Sequence, residues 1–365
     1  MTKPLGTIWL LEPHTAKKHE ILRRYFEAWL PILANTNGRV VYIDGFAGPG
    51  EYSRGEDGSP IIVLKSARDH TYKTASELCC LFVEDKKDRY DHLKSVLSAL
   101  APPVPSNIKF EAVNKTFDEE MSRRLDDVAE RRTVLAPTLA FIDPFGFKHT
   151  PFKTIARLMQ QPKCEVLINF MYEEINRFLS LPDHAATFDA LFGTPDWRGA
   201  LELSTPDERV AAIHNLYLRQ LKTIGEYARS FQMINMGNRV DYFLFFVTNN
   251  TLGLQRMKES MWKVDPTGEF QFSDLTDAST QLVLSFAATP NLEPLRKMIV
   301  ETFGGKEVKI TDLERWVVRE TPYLPKHIRT PLLIPMEDEG AVSIVKSKPG
   351  RKRHTYPEGT VLKFR

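Results

Sequence analysis

The sequence predicts an α/β fold: a doubly wound sheet of seven strands, then a small C-terminal unit of three helices and a hairpin. Three observations predict it. From residue 39 onward, short apolar and β-branched runs alternate with helical stretches, and parallel neighbours need helical crossovers. The last two runs of the body are only five residues apart, too few for a crossover and enough for the turn of an antiparallel hairpin. Beyond residue 290 the alternation stops. With 42% apolar and 26% charged residues over 365 positions, the chain can fill two cores and carries no signature of wholesale disorder.

The first 38 residues hold one helix, HTAKKHEILRRYFEAWLPIL (14–33), in which Ile21, Leu22, Tyr25, Phe26, Trp29 and Leu30 recur at helical spacing as a core stripe. The strands follow as RVVYID (39–44), LCCLFVE (78–84), IKFEAV (108–113), TLAFID (138–143), CEVLINF (164–170), FQMINM (231–236) and YFLFFVT (242–248). Helices are expected at Pro60–His70, Lys87–Leu100, Phe117–Arg131 and Phe152–Gln160, and residues 171–225 read as a helical insertion. Five parallel strands ending in a hairpin is the layout of class I (Rossmann-like) S-adenosylmethionine methyltransferases rather than of a six-strand dinucleotide fold. This domain is expected over 1–285, and a second over 290–365. There NLEPLRKMIVETF, VKITDLERWVVRE and LPKHIRTPLLIPMEDEG read as helices. AVSIV (341–345) and TVLKFR (360–365) read as a hairpin with a basic loop, completing a winged-helix pattern.

Several classes are excluded. No apolar run reaches 18 residues, so a membrane span is not expected. The N-terminal stretch has charge soon after a short apolar run and no small-residue cleavage site, so it does not read as a signal peptide. Cys79, Cys80 and Cys164 lie in apolar runs, as reduced core thiols of a cytoplasmic protein do, and no CxxC or Cys/His spacing points to a metal. Residues 290–365 hold 15 Lys+Arg against 10 Asp+Glu, leaving 34 against 37 in the rest of the chain. A +5 tail on a −3 body suits a polyanion, or is simply a solvated basic surface.

Asp44-Gly-Phe-Ala-Gly-Pro-Gly50 directly follows the first strand. Its glycines allow positive φ and close approach of backbone to a ligand, but it has neither phosphate-cradling pattern, GxGxxG or GxxxxGK[ST]. A carboxylate before the loop would repel a pyrophosphate and suits the cationic end of S-adenosylmethionine, which Asp44, Phe46, Ala47, Gly48 and Gly50 would hold. Glu84, at the end of the second strand, can accept both ribose hydroxyls. Asp85 is expected near the adenine edge, Asn114 near the adenine amine, and Lys17 (with His14) near the methionyl carboxylate. Each is also explicable as an ordinary loop or helix-surface residue.

The fourth strand ends in Phe141-Ile-Asp-Pro-Phe-Gly-Phe147, across the switch-point crevice from the glycine loop. An aromatic amine is a poor nucleophile, because its lone pair is delocalised into the ring. Asp143 and the Pro144 carbonyl can accept its two N–H bonds and hold the nitrogen toward a methyl sulfonium, while Phe145 or Phe147 stacks on a base. Alone, the motif is also a plain turn. Asn169, Tyr172 and Arg177 are expected to line the pocket. Lys346, Lys348, Arg351, Lys352 and Arg353 cluster on the wing, where they suit phosphate contacts or form a solvated hairpin.

These motifs carry a resemblance. His14-Thr-x-Lys-Lys-His19, Tyr42-Ile-Asp-Gly-Phe-Ala-Gly-Pro-Gly50, Gly58-Ser-Pro60, Phe141-Ile-Asp-Pro-Phe-Gly146, Asn169-Phe-Met171 and Tyr242-Phe-Leu-Phe-Phe246 resemble the hallmarks of the three-Cys-motif partner (TcmP) proteins over nearly the whole chain. The resemblance implies a methyltransferase-like fold and association with a three-cysteine-motif protein, and fixes no substrate. The two main motifs are also similar to those of adenine-N6 and cytosine-N4 DNA methyltransferases, with one proline missing, and Asp-Pro-Phe-Gly is similar to the corresponding turn of tRNA guanine-N2 methyltransferases. The expectation is methylation of an exocyclic amine in DNA or RNA. The alternatives are a cofactor-binding or non-catalytic partner subunit, and a methyltransferase with another kind of substrate.

Overall fold

A computed structural model describes residues 6–266, 271–273 and 290–365. The chain divides into two compact units, residues 1–253 with 271–284, and residues 254–270 with 285–365. The expected end of the first domain at residue 285 lies outside the described residues, and the helix after the last body strand contributes to the second unit from residue 254 onward.

In the first unit, α1 (Pro13–Ala34) precedes β1 (Arg39–Asp44), α2 (Ser59–Asp69), β2 (Glu77–Val83), α3 (Lys87–Ser98), β3 (Ile108–Val113), α4 (Phe117–Glu130), β4 (Thr138–Ile142), α5 (Phe152–Met159) and β5 (Cys164–Phe170). The insertion follows as α6 (Tyr172–Phe178), α7 (Ala185–Phe192) and α8 (Pro206–Ile224), joined by short 3-10 turns. Thr205 and Glu208 close a capping box at the start of α8. The hairpin is β6 (Tyr227–Ile234) with β7 (Val240–Thr248), and α9 (Thr251–Val264) comes next.

The sheet runs β3-β2-β1-β4-β5-β7-β6-β8, with eight strands rather than the expected seven. The added strand, β8 (Gln271–Ser273), pairs parallel with β6 at the edge and is too short to announce itself by pattern. β1 to β5 are parallel, and β7 is antiparallel to both β5 and β6. Every residue of β4 and β5 is buried, as befits central strands. Strand order reverses between β1 and β4, so their carboxyl ends diverge around a crevice.

In the second unit, α10 (Glu293–Phe303), β9 (Glu307–Lys309) and α11 (Ile310–Glu320) precede an irregular stretch that ends in α12 (Ile334–Asp338). β10 (Val342–Lys346) and β11 (Val361–Phe364) join β9 in an antiparallel sheet ordered β10-β11-β9. The start of the expected second helix is therefore a strand. The expected third helix is broken into a 3-10 turn, a wide π-type turn and one short helix, because Pro325, Pro331 and Pro335 interrupt its amide ladder. Lys258 of α9 is fully buried here, and its Nζ donates to the carbonyls of Val317, Val318 and Thr321 at 2.9–3.2 Å. It thereby caps the end of α11. Among the described residues, no helix is long and apolar enough to cross a membrane, and no group of three or more His, Cys, Asp or Glu side chains could hold a metal ion.

Candidate active site

The glycine loop leaves β1 under tight steric control. Gly48 and Gly50 have φ of +63° and +88°, a region that penalises a Cβ. A Cβ on Gly50 would also lie 2.9 Å from Leu93 of α3. Ala47 N donates to Val83 O at 2.8 Å and Gly48 N to Glu84 Oε2 at 2.9 Å, which lays the loop against the end of β2. Asp44, at the end of β1, is completely buried and accepts from Phe46 N at 3.3 Å and from the Tyr42 hydroxyl at 3.4 Å.

Two buried acids flank this loop. Burial pushes the Asp44 carboxyl up to about 7; the neighbouring Asp143 charge adds to the rise, and hydrogen bonds from Ser59, Phe46 and Tyr42 oppose it. Glu84 is also pushed up to about 7, by burial first and the Asp85 charge second, against hydrogen bonds from the Lys86 and Gly48 amides and the nearby Arg89. Among the described residues, neither acid has a cation within ion-pair distance.

Across the crevice, the carboxyl end of β4 presents Asp143. Its carboxylate is already engaged. Lys18 Nζ lies 2.7 Å from Oδ1 and 2.6 Å from Oδ2, and Asn169 Nδ2 of β5 donates to Oδ1 at 2.5 Å. Lys18, rather than Lys17, is the α1 lysine at the site. Lys17 lies 3.5 Å from Glu20 and 5.7 Å from the centroid of the Phe272 ring; neither lysine lines the cavities described below, and Lys18 reaches the site only through Asp143. Helical phase explains the difference: Lys18 falls in register with the buried Ile21, Leu22 and Tyr25, and Lys17 with the half-exposed Glu20 and Arg24. Burial and the Lys18 charge hold His19 down to about 3, so its imidazole is neutral.

A cavity of about 530 Å³ opens at the ends of β1, β2, β4 and β5. Phe46, Glu84, Asp85, Pro144, Phe145 and Phe147 line it, joined by Arg177 of α6. A smaller pocket of about 30 Å³ lies between the glycine loop, with Ala47, Gly48 and Gly50, and Asp143, and it shares Phe46 and Phe145 with the first. Trp9 and Tyr52, which the sequence reading did not single out, close the smaller pocket. The Trp9 ring meets Phe145 edge-on at 4.9 Å, and its backbone carbonyl accepts from Ser53 N at 2.8 Å. Arg89 stacks on both rings, 4.9 Å from Trp9 and 5.0 Å from Phe145. No motif points to Trp9, since it lies in a segment with no regular element.

No protein-family model matches the chain, and no curated protein is similar to it in sequence. Solved structures with similar architecture include protein LPL1258 from Legionella pneumophila, 13% identical over 65% of this chain and 85% of that one, with a TM-score of 0.38. Human methyltransferase-like protein 13 in complex with SAH is 9% identical over 70% and 92%, with a TM-score of 0.36. The plantazolicin methyltransferase BpumL in complex with SAH is 9% identical over 65% and 86%, with a TM-score of 0.31. Chemistry here rests on the residues themselves.

Other expected site residues lie elsewhere. Tyr172 is buried in the core against Phe243 and lines neither cavity, because the first turn of α6 faces the sheet. Asn114 spends its amide on the Glu84 and Asp85 carbonyls at 2.9 and 3.0 Å, bracing the end of β2. Phe147 touches the cavity but is mainly core, 4.7 Å from the Phe188 ring. On the β10–β11 loop, Nη2 of Arg351 donates to both Glu337 carboxylate oxygens, at 2.8 and 2.9 Å, and Arg353 pairs with Asp338. Arg351 is therefore a structural cation. Lys348 and Lys352 are exposed.

Proposed function

We propose that the first unit is an S-adenosylmethionine-dependent methyltransferase acting on an exocyclic amine of a base in DNA or RNA. One observation carries the reading: at the strand-order reversal, the glycine loop, Glu84 after β2 and the Asp-Pro-Phe-Gly turn after β4 line two pockets that share Phe46 and Phe145, with Asp44 fully buried at the root of the loop. The residues fit the cofactor. Among the described residues, Asp44 and Glu84 are buried acids with no cation within ion-pair distance, and a ligand carrying positive charge and hydroxyl donors supplies what both lack.

When bound, the cofactor supplies an electrophilic methyl on a positively charged sulfur. Glu84 would accept the ribose hydroxyls, Asp44 and the Phe46–Gly50 backbone would hold the amino-acid end, and Asp85 would face the purine edge. Asp143 Oδ2 and the Pro144 carbonyl would accept the amine N–H groups. Phe145, 39% exposed on the cavity wall, would stack on the base. Lys148 and His149 on the same wall suit its flanking phosphates, beside Arg177, which already pairs with Glu174 at 2.9 Å. In the second unit, the order helix, strand, helix, broken helix and two strands supports a winged-helix reading, with Lys348 and Lys352 as its phosphate contacts.

Calorimetric titration with S-adenosylmethionine and S-adenosylhomocysteine tests the assignment. Binding is expected, weakened about tenfold or more by Glu84→Gln, the scale for one hydrogen bond to a charged acceptor. A wild-type titration without heat for either compound overturns it. One observation favours a second reading: Lys18 and Asn169 already occupy Asp143, as in a module that holds the cofactor for a partner such as a three-cysteine-motif protein. Transfer of labelled methyl groups to bulk DNA or tRNA separates the two.

A further inference from the structure

The cation that holds Asp143 comes from α1, 125 residues earlier in the sequence. Lys18 is 3% exposed, so water does little to compensate its charge. Among the described residues, Asp143 is the one carboxylate within ion-pair distance of it. Its single ammonium spans both carboxylate oxygens, while the Asn169 amide adds a second donor to Oδ1 alone. Oδ1 therefore has two donors and Oδ2 one, and Oδ2 keeps acceptor capacity to spare. Asp143 borders the small pocket beside Gly48 and Gly50.

Resting on the cofactor assignment above, we propose that Lys18 is the positioning residue of the site: it fixes the Asp143 carboxylate so that Oδ2 is the oxygen left for a ligand, and it cancels the Asp143 charge that the ligand's positive centre meets. Lys18 does not itself touch the reacting atoms. Its effect is to make the β4 end of the crevice a neutral acceptor, while the β1 and β2 ends keep their unbalanced acids.

S-adenosylmethionine and S-adenosylhomocysteine differ by one methyl group and one positive charge, so the ratio of their affinities reads the net charge beside that centre. A merely structural lysine leaves this ratio unchanged. In full-length protein titrated calorimetrically, Lys18→Met leaves Asp143 uncompensated and shifts the ratio toward S-adenosylmethionine. Asp143→Asn leaves the ammonium uncompensated and shifts it the other way. Each shift is about tenfold or more, the scale for one unit charge several ångströms away at an effective dielectric of about 20. The Lys18→Met/Asp143→Asn double variant returns the ratio to within about threefold of wild type.

Should Lys18→Met fail to fold because half of a buried pair stands alone, Lys18→Gln keeps a neutral donor for Asp143 while removing the positive charge, and shifts the ratio toward S-adenosylmethionine. Unchanged ratios in the folded variants, or shifts of opposite sign, overturn the inference while the cofactor assignment stands. No binding of either compound to wild type overturns both.

Discussion

Asp44 offers a direct test of the site's electrostatics without any ligand. Its carboxyl is fully buried and pushed from an ordinary 3.8 up to about 7. A carboxyl raised on folding favours the folded state at low pH. That contribution is complete below about pH 4 and is lost as pH rises toward about 7, after which it levels off. At 1.36 kcal/mol per tenfold, the total swing on this one group is about 4 kcal/mol, of which about 3 kcal/mol falls above pH 5. Asp44→Asn keeps an acceptor oxygen for the Phe46 amide, turns its other atom into a donor facing the Tyr42 hydroxyl oxygen, and removes the charge. The stability of the variant minus that of wild type should therefore increase by about 3 kcal/mol between pH 5 and pH 8. Native-state hydrogen exchange at β1 and β4 amides reads the first unit separately from the second. Parallel pH dependences for the two proteins would refute the argument that burial holds Asp44 neutral.

Three further outcomes follow from the geometry. Ligand binding that brings positive charge to Asp44 and Glu84, both near 7 in the free protein, should release about one proton in total per ligand at pH 7; calorimetry in buffers of different ionisation enthalpy measures it, and zero release separates the ligand from these acids. Gly50→Ala should cost the first unit about 1–3 kcal/mol, since φ is +88° and the new Cβ meets Leu93 at 2.9 Å; an unchanged melting temperature would show that the loop relaxes freely. In the second unit, Arg351→Ala should cost about 1–3 kcal/mol by removing the charged hydrogen bonds from Nη2 to Glu337, whereas Lys348→Ala should stay within about 0.5 kcal/mol. Equal effects in denaturation would place both arginine and lysine on the solvated surface.

The parallel strands were legible because each is a short, nearly continuous apolar run. β1, β3 and β5 begin and end where their β-branched stretches do. β6 begins four residues earlier than its pattern, at Tyr227 rather than 231, because Arg229 and Ser230 interrupt the apolar run. β8, three residues at an edge, has too little pattern to read. The apolar spacing of the third segment predicts a continuous helix because that spacing survives even where prolines break the amide ladder. Within the site, the acids that end strands were found by position: Asp44, Glu84 and Asp143 all border the crevice or its loop. Side chains brought in by packing were not. Lys18 needed the helical phase of α1, and Arg351 needed knowledge of Glu337, which only the fold supplies.

The charge layout constrains how the site can be probed. Asp143→Ala is the obvious knock-out, but it strands Lys18, which is 3% exposed, and an unpaired buried charge costs about 3–5 kcal/mol. That penalty is as large as the loss of one preorganised acceptor, about 3–4 kcal/mol, so lost activity in this variant would not distinguish a missing acceptor from a damaged site. Among the described residues, Asp44 and Glu84 have no cation within ion-pair distance, so their neutral amides strand no charge, and a fold-stability control accounts for the backbone amides from which both Glu84 oxygens accept. The same asymmetry orients whatever binds. A positive centre gains most beside Asp44 and Glu84, at the ends of β1 and β2, which have no cation within ion-pair distance among the described residues. At the end of β4, where Lys18 has already balanced the acid, a neutral N–H donor is the better partner.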